Sequence, residues 1–258
     1  MISIIIPTLN EEVFIGEMLA RLREKLTEHE FEIIVSDNGS WDDTVKIAKR
    51  YATVLEHNDV GRKTIAWQRN QGAKIARGEF FVFLDAGVHI PEPNKFFRLA
   101  LQRFETDSKL VGLAPKIRIS HESETLTDAF FGSLLNFFWW FENNILGIGI
   151  APGKCQIIKA SAFQTVRGYR EDLVAAEDAD IFARLAKRGR TRVDLGLTVY
   201  HSGRRVHTLG WTKLLWTWFK NFFAYTFFGR SITKDWYIYP HIQKDSKSAK
   251  KLKDFNRL

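Results

Sequence analysis

Acidic and polar side chains follow three apolar segments of this sequence, at the points where strands are predicted to end. Thr8, Asn10 and Glu11 follow the first segment, Asp37 follows the second, and Asp85 directly follows a later one. In an open parallel sheet, ligands bind outside the carboxyl ends of the strands. Clustered carboxylates repel one another unless a cation or hydrogen-bond donors compensate. This edge is therefore predicted to bind a metal or a ligand rich in donors.

The segment that contains Asp37 also has a purely local interpretation. Residues 37–40 read Asp-Asn-Gly-Ser, a composition typical of a turn that caps a helix. Such a turn would need no ligand. Its coincidence with two other polar strand ends favours a binding site.

A second acidic group lies in the segment AAEDAD, at residues 175–180. Helical spacing places Asp178 on the same face as apolar residues that include Phe182, and directs Glu177 and Asp180 elsewhere. A carboxylate on an inward face is partly desolvated, which raises its pKa and improves it as a general base near neutral pH. The alternative is that this acid only stabilises a helix N-terminus.

The elements that must position these residues alternate between strands and helices, as in an α/β fold with a parallel sheet. Strands are predicted over 2–7, 31–36, 52–55, 80–84 and 110–119, and helices over 13–28, after 40, over 64–77 and over 95–108. A last strand is predicted over 198–200. The continuous hydrophobicity of residues 80–84 fits a sheet that is buried on both faces.

Four segments of the chain, in their order and spacing, strongly resemble family 2 glycosyltransferases. They read PTLNEE, VSDNGSWDDT, RNQGAKIARGEFFVFLDA and GYREDLVAAEDADIFARL, and the resemblance covers about residues 2–205. Each stands at the correct end of its predicted element, which is far more specific than an isolated Asp-x-Asp. The resemblance implies a GT-A fold, a Rossmann-like, mostly parallel, doubly wound sheet with helices on both faces, and an inverting transfer from a nucleotide sugar.

The resemblance also implies donor-binding roles for individual residues. Thr8, Glu11 and Asp37 would contact the base and ribose of a nucleotide, with Asp37 accepting hydrogen bonds from a uracil-like edge. Pro7 would shape the first loop, to which Asn10 also belongs.

Further donor contacts are implied on a helix and after the last strand. Asn70 and Gly72 fall where the family packs a helix against the nucleotide, although Gly72 equally fits plain helix packing. Arg204 and Arg205 resemble the place where the family steadies the donor diphosphate or a phosphorylated acceptor. The alternative for both arginines is simple solvation.

Asp85 matches the first acid of the family's Asp-x-Asp motif, which holds a divalent cation on the diphosphate. The third position of the motif is Gly87 here, so one carboxylate ligand is missing. The resemblance implies Mg²⁺ or Mn²⁺ at Asp85, with His201 as a replacement ligand and His89 as a second candidate. A lone histidine is otherwise an ordinary surface or core group. Asp178 would be the catalytic base, or would only position an acceptor that is already ionised, such as a polyprenyl phosphate.

Two aromatic stretches point to a membrane surface. Residues 129–153 carry a single charge, but asparagines and glycines interrupt any continuous span. Residues 211–228 are predicted to form an amphipathic helix with Phe222 on its apolar face and Asn221 on its polar face. Five of the eight tryptophans lie in these stretches, and indole is favoured at an interface: Trp139, Trp140, Trp211, Trp216 and Trp218. Packing against the α/β body or a second subunit is the alternative.

The chain of 258 residues is long enough for one sizeable core with an appendage. We predict a donor half over 1–119, an acceptor and catalytic half over 120–208, and the amphipathic helix with a basic tail over 209–258. Residues 241–258 carry six Lys or Arg against two Asp, within a net charge of +8. Cys155 is the single cysteine, so an intrachain disulfide is impossible and ordinary packing is expected. No secretory signal precedes the first strand, and the expected location is cytoplasmic, peripheral at the cytoplasmic face of the membrane.

The sequence thus predicts transfer of a sugar, with a UDP-sugar favoured, to a lipid-linked, polyprenyl-phosphate or glycan acceptor in cell-envelope glycan or glycolipid synthesis. A sugar nucleotidyltransferase should have a glycine-rich basic loop after the first strand, and PTLNEE has neither feature. A non-catalytic sugar-nucleotide or lipid-binding relative is the other alternative, motivated by Gly87. Nucleic acid is not an expected partner, because only the basic tail would support it.

Overall fold

The computed structural model describes residues 1–57 and 64–233, so the predicted basic tail lies outside the described residues. Its strands form one sheet in the order β3-β2-β1-β4-β7-β6-β8-β5. They are Ile2–Thr8 (β1), Phe31–Asp37 (β2), Thr53–Glu56 (β3), Phe80–Leu84 (β4), Val88–His89 (β5), Leu110–Ile119 (β6), Cys155–Lys159 (β7) and Arg190–His201 (β8).

The helices alternate with the strands over the first half of the chain, as predicted. They are Glu12–Lys25 (α1), Thr44–Ala48 (α2), Ile65–Ile75 (α3), Pro93–Thr106 (α4), Leu126–Asn144 (α5), Ala160–Thr165 (α6), Glu177–Ala186 (α7), Arg204–Leu209 (α8) and Trp211–Phe228 (α9). The strands β5 and β7 have no counterpart in the prediction, because both are short and lie in glycine-rich or aromatic surroundings.

The direction of the strands divides the sheet into two parts. β1 pairs in parallel with β2 and β4, and β2 pairs in parallel with β3, which agrees with the doubly wound arrangement. β7 then runs antiparallel between β4 and β6, and β5 runs antiparallel to β8. The sheet is therefore mixed, and the beginning of β7 lies beside the end of β4, where ligands bind in the parallel part.

The sheet is buried on both faces. Side chains alternate along each strand, so neighbouring residues of one strand belong to opposite faces. In β1, Ile4 and Ile6 belong to the apolar cluster on one face, whereas Ile5 belongs to the cluster on the other. Cys155 is fully buried in the first cluster, so the expectation of ordinary packing is confirmed.

The aromatic helix α5 packs on β6 and β8 and exposes a stripe on its outer face. Asn136 on its inner face donates to the carbonyl of Ile117 and accepts from the backbone N–H of Ile117, which ties the helix to β6. The exposed stripe is apolar, with its members three or four residues apart: Leu126, Phe130, Leu134, Phe137 and Phe141. None of the helices within residues 1–57 and 64–233 is long and apolar enough to cross a membrane.

The helix α9 has the predicted bounds, but its buried side includes a residue of the predicted polar face. Asn221, predicted on the polar face, is 4% exposed, and its side chain accepts from the backbone N–H groups of Ile232 and Thr233. Phe222, predicted on the apolar face, is 39% exposed. The prediction was therefore wrong for these two residues, because hydrogen bonds to the following segment, rather than hydropathy, bury Asn221.

Most of the tryptophans that motivated the membrane prediction pack inside the molecule. Trp139 and Trp140 lie against the two apolar clusters of the sheet, and Trp211 and Trp218 pack on a third cluster around Leu214. Among the five, only Trp216 is largely exposed. The outer face of α9 is nevertheless aromatic, since Trp216 is followed there by Phe219, Phe223 and Phe227.

Candidate functional site

The ends of β1 and β2 meet at one edge of the sheet, as the sequence predicts. Thr8 lies opposite Asp37 in the parallel register, and its hydroxyl donates to Asp37 Oδ1 at 2.8 Å. The side chain of Gln68 on α3 donates to the carbonyl groups of both Thr8 and Ser36, so α3 holds the two strand ends together. Pro7 lies within β1 rather than in the loop, because the strand continues through Thr8.

The carboxylate of Asp37 is 1% exposed and holds its own loop. It accepts from the hydroxyls of Thr8 and Ser40 and from the backbone N–H groups of Gly39 and Ser40. These four donors match the four acceptor sites of an ionised carboxylate. Asp37 therefore organises the loop, and accepting a hydrogen bond from a base would require a donor such as the Ser40 hydroxyl to turn away.

The loop after β1 carries an unsatisfied donor. Asn10 has a left-handed φ of +56°, and its Oδ1 accepts from the backbone N–H of Trp41. Its Nδ2 is buried and has no hydrogen-bond partner among the described residues. Buried polar groups are nearly always hydrogen-bonded, so an acceptor on a ligand would satisfy this amide.

Asn70 and Gly72 on α3, where donor contacts were predicted, make contacts within the protein. Asn70 donates to the carbonyl of Tyr169 and accepts from its backbone N–H, so it pins the loop before α7. A Cβ at Gly72 would lie 2.5 Å from Ile5 Cγ2 on β1. Gly72 is thus a site of close helix-to-sheet packing, which was the alternative interpretation.

Arg69 lies at the centre of the site, although it was not among the predicted site residues. Its side chain is 1% exposed, and Nη2 donates to Asp85 Oδ1 at 2.8 Å and to the carbonyl of Gly153 at 2.9 Å. Nη1 donates to Glu177 Oε1 at 3.0 Å. Burial disfavours the charge, but the acidic neighbours outweigh it and raise the pKa of Arg69, so the guanidinium stays charged. Arg69 lies three residues after Ala66 and three before Gly72, on the buried side of α3. A charged residue at such a position is the sequence signal that could have identified it.

Asp85 is held by two cations. Besides Arg69 at Oδ1, Lys154 donates from Nζ to Oδ2 at 3.2 Å. Burial acts to raise the pKa of Asp85, but Lys154 and Arg69 together hold it below its usual value. Burial also lowers the pKa of Lys154, against the attraction of Asp85. Lys154 was absent from the predicted site because it precedes a strand that the pattern did not reveal.

The acidic residues at the start of α7 are oriented differently from the prediction. Ala176 adopts a left-handed φ of +69° immediately before the helix, which turns Glu177 inward to Arg69. Glu177 and Asp180 are buried, whereas Asp178 is half-buried. The prediction that Glu177 and Asp180 project away from the interior was wrong, because both carboxylates are buried in ion pairs. Glu177 pairs with the buried Arg69, and Asp180 pairs with the half-buried Arg184.

Asp178 nevertheless belongs to the same cluster as Arg69. A Cβ at Gly153 would lie 2.9 Å from Asp178 Oδ2 and 3.3 Å from Arg69 Nη2, so both side chains flank the backbone of Gly153. Burial raises the pKa of Asp178, and Arg69 opposes that shift. Burial and the neighbouring carboxylate of Asp178 raise the pKa of Glu177 to about 7. The site therefore contains a half-buried carboxylate whose pKa is raised, which is the direction that general-base catalysis needs.

His201 ends β8 and lies near Lys154. Burial, with a smaller effect of Lys154, lowers the pKa of His201 to about 3, so the ring is neutral. Its Nδ1 accepts from the backbone N–H of Gly203 at 3.1 Å. A neutral ring that accepts at Nδ1 carries its proton on Nε2, which is then a donor and not a metal ligand.

Arg204 is turned toward the loop after β1. Its Nη2 lies 3.1 Å from both carboxylate oxygens of Glu11, and its guanidinium lies 4.3 Å above the ring of Phe14. Glu11, predicted to contact the nucleotide, and Arg204, predicted to contact a phosphate, therefore form one ion pair. The charges of Arg204 and Arg205 both act on Lys154, which places the three cations in one region.

The residues of the site do not fit a divalent cation of the Asp-x-Asp type. In the part of the chain that the structure describes, no group of three or more His, Cys, Asp or Glu side chains is arranged to hold a metal. Both oxygens of Asp85 already accept from cationic side chains. Gly87 has a left-handed φ of +78°, and a Cβ there would lie 3.3 Å from Phe14 Cγ, so this backbone favours glycine over a second acid.

Comparison with known proteins gives one family. The sequence model described as Glycosyl transferase family 2 matches residues 3–167. The succinoglycan biosynthesis protein ExoA of Rhizobium meliloti is 28% identical over 217 residues, which cover 81% of this chain and 65% of that protein. Validoxylamine A glucosyltransferase of Streptomyces hygroscopicus subsp. limoneus is 35% identical over 94 residues, or 34% of this chain and 20% of that protein. The matched regions thus span from a fifth to just under two thirds of these relatives.

Solved structures show the same fold at low identity. The mannosyltransferase PcManGT from Pyrobaculum calidifontis, in complex with GDP-Man and Mn²⁺, has a TM-score of 0.62 and 18% identity, covering 78% of this chain and 56% of that one. Residues 1–349 of Staphylococcus aureus TarS, in complex with UDP-GlcNAc, have a TM-score of 0.59 and 20% identity, covering 77% and 57%. The GT-A fold expected from the sequence is therefore confirmed.

Proposed function

Since this chain belongs to glycosyl transferase family 2, we propose that it transfers a sugar from a nucleoside diphosphate sugar to an acceptor, with inversion at the anomeric carbon. The observation that carries the proposal is the cluster around Arg69, which brings Asp85 and Asp178 together from β4 and α7. One end of this cluster adjoins the strand edge where a nucleotide binds, and the other offers a carboxylate suited to proton transfer.

The donor is bound by residues 1–119 in this proposal. The buried amide of Asn10 donates to the nucleotide, and the loop that Asp37 organises contacts the base. A UDP-sugar is favoured, and TarS, which has this fold, binds UDP-GlcNAc. Glu11 and Arg204 close over the donor as a pair, in which the arginine can exchange its carboxylate partner for a phosphate.

The acceptor is bound by residues 120–208, and Asp178 acts on it. An acceptor hydroxyl oxygen attacks the anomeric carbon on the face opposite the diphosphate, and Asp178 takes the hydroxyl proton. The bond from the anomeric carbon to the diphosphate oxygen breaks, and the nucleoside diphosphate leaves with the electron pair. A polyprenyl phosphate acceptor would already be ionised, and Asp178 would then position it instead.

The product in this proposal is a cell-envelope glycan or glycolipid, to which the similarity with the succinoglycan biosynthesis protein lends support. The enzyme works at the cytoplasmic face of a membrane, which its helices α5 and α9 contact through their outer faces. Those faces expose Phe130 and Phe137 on α5 and Trp216 and Phe223 on α9. Lys220 lies 5.8 Å from the ring of Trp216, as in interfacial helices that combine aromatic and basic side chains.

Calorimetric titration with UDP-, GDP- and dTDP-sugars, each with and without Mn²⁺, tests the proposal. We expect one donor to bind selectively, and its hydrolysis or transfer to be measurable as released nucleoside diphosphate. Selective binding without any turnover would favour the non-catalytic sugar-nucleotide-binding relative that Gly87 suggests. No binding of any donor would contradict the proposal.

A further inference from the structure

Asp85 stands where a metal-dependent relative of this fold would place the cation, but its two oxygens are already bonded. Oδ1 accepts from Arg69 and Oδ2 from Lys154. The two cations differ in exposure, since the Arg69 side chain is 1% exposed and that of Lys154 is 35% exposed. Arg69 is thus committed to the interior, whereas the side chain of Lys154 is partly exposed.

The position of Lys154 is fixed by the backbone. β7 is antiparallel to β4, with Cys155 opposite Leu84, and the backbone N–H of Asp85 donates to the carbonyl of Lys154 at 3.0 Å. Two adjacent main chains therefore present the carboxylate and the ammonium side by side. A lysine on a flexible loop would lose more backbone entropy on reaching the same place.

The charges of this pair reproduce those of a metal site. In an Asp-x-Asp site, two carboxylates and one divalent cation sum to zero. Here Gly87 removes one negative charge and Lys154 replaces the doubly charged cation by a singly charged one. Asp85 and Lys154 therefore again sum to zero, with the charge of Arg69 set against that of its second partner, Glu177. A divalent cation added at Asp85 would leave the local charge strongly positive and would lie within a few ångströms of the ammonium, which repels it.

The ammonium also has the bonding capacity to replace the cation. A lysine side chain has three N–H donors, and the described residues take one of them, through Asp85. Lysine is a well-established phosphate ligand that acts as a point charge, as a metal ion does. Arg205 adds further positive charge beside Lys154.

We propose that Lys154 takes the place of the divalent cation, its ammonium bridging Asp85 and the diphosphate of the donor, so that donor binding requires no metal. The inference rests on the proposed function and names the cationic side chain that binds the diphosphate of the donor. The diphosphate that leaves is stabilised by the same ammonium, because its negative charge grows as the sugar bond breaks.

The test is calorimetric binding of UDP, GDP and dTDP to the full chain, first in EDTA and then with Mn²⁺ or Mg²⁺. We expect one diphosphate to bind with equal affinity under all three conditions. Lys154→Met should weaken that binding about tenfold to a hundredfold, since hydrogen bonds to charged groups contribute about 1.5–3 kcal/mol. Lys154→Arg, which keeps the charge, should retain most of it.

Lys159→Met is the matched control, because Lys159 lies at the far end of β7, the strand that Lys154 precedes, and its Nζ is 3.5 Å from the carbonyl of Ser108, outside the site. It should bind the diphosphate as the unmodified chain does. Thermal unfolding of all three variants shows whether a loss of binding reflects a loss of folding. If Lys154→Met does not fold, the metal-free binding of Lys154→Arg tests the inference instead.

Two outcomes would overturn the inference while leaving the proposed function intact. One is binding that appears only when Mn²⁺ or Mg²⁺ is added, and the other is unchanged metal-free affinity in Lys154→Met. Absence of binding to all three diphosphates, with and without metal, would overturn the proposed function together with the inference.

Discussion

Arg69 donates from Nη1 to Glu177 Oε1 at 3.0 Å, although 108 residues separate the two in the sequence. Both side chains are buried. Because a buried charge is tolerated only when it is paired and hydrogen-bonded, this contact fixes the start of α7 against α3. Asp178, the next residue after Glu177, is thereby placed near the end of β4.

Arg69→Met is expected to destabilise the protein by about 3–5 kcal/mol, because it leaves the buried carboxylates of Glu177 and Asp85 without their shared cation. Urea unfolding measures the loss. Arg77→Met is the control, since Arg77 is 76% exposed in its side chain and forms a surface pair with Glu32. Its expected cost is below about 1 kcal/mol. Equal stabilities of the two variants would contradict the central role of Arg69.

Asp178→Asn is expected to lower kcat by about 10²–10⁴-fold while leaving the affinity for the donor unchanged, because only the proton acceptor is lost. Asp37→Ala should instead weaken donor binding, because the loop loses the carboxylate that accepts four hydrogen bonds and organises it. Steady-state kinetics together with calorimetric titration separate the two effects. If both variants lost donor affinity equally, the two residues would not have separate roles.

Gly72→Ala is expected to destabilise the protein by about 1–3 kcal/mol, because the added Cβ would lie 2.5 Å from Ile5 Cγ2 and push α3 off the sheet. Gly132→Ala on α5 is the matched helical control, since a Cβ there has no atom within 4 Å. That variant should gain up to about 1 kcal/mol from helix propensity. Thermal or urea unfolding measures both, and a stabilised Gly72→Ala variant would refute the close packing.

Asp128→Asn is expected to cost up to about 2 kcal/mol at neutral pH, because Asp128 joins α5 to α8 and α9. Its buried carboxylate accepts from Thr125, His207 and Trp211. Burial opposes ionisation, but these donors lower the pKa of Asp128 from 3.8 to about 2. The stabilisation is therefore present above about pH 4 and is lost as the pH falls through about 2.

Urea unfolding at neutral pH and near pH 3 should show the difference between Asp128→Asn and the unmodified chain shrinking at the lower pH. Asp172→Asn is the control, because Asp172 is exposed and pairs with Arg170 at the surface. It should change stability by less than about 1 kcal/mol. A cost of Asp128→Asn that did not depend on pH would show that the charge contributes nothing.

The combined substitution Phe219→Ser and Phe223→Ser is expected to reduce co-sedimentation with vesicles of phosphatidylcholine and phosphatidylglycerol, because both rings are exposed on α9. Leu195→Ser removes an apolar side chain of similar exposure from β8 and should leave binding unchanged. Equal binding of all three proteins would contradict the proposed membrane contact of α9.

The sequence by itself determined the elements of the first half, because the signals for them are local. Apolar runs such as Phe80–Leu84 mark buried strands, and the periodicity of residues 211–228 marks a helix with the observed bounds. The polar residues that end β1, β2 and β4 meet at one edge because parallel strands share an edge for their carboxyl ends.

The tertiary structure decided which residues form the site within that edge. The antiparallel direction of β7 places Lys154 on Asp85, and the inward turn at Ala176 places Glu177 on Arg69. Neither relation has a local signal, because strand direction and ion pairing depend on residues that are far apart in the chain. Hydrogen bonding to the segment after α9 likewise buries Asn221, which hydropathy placed on the polar face.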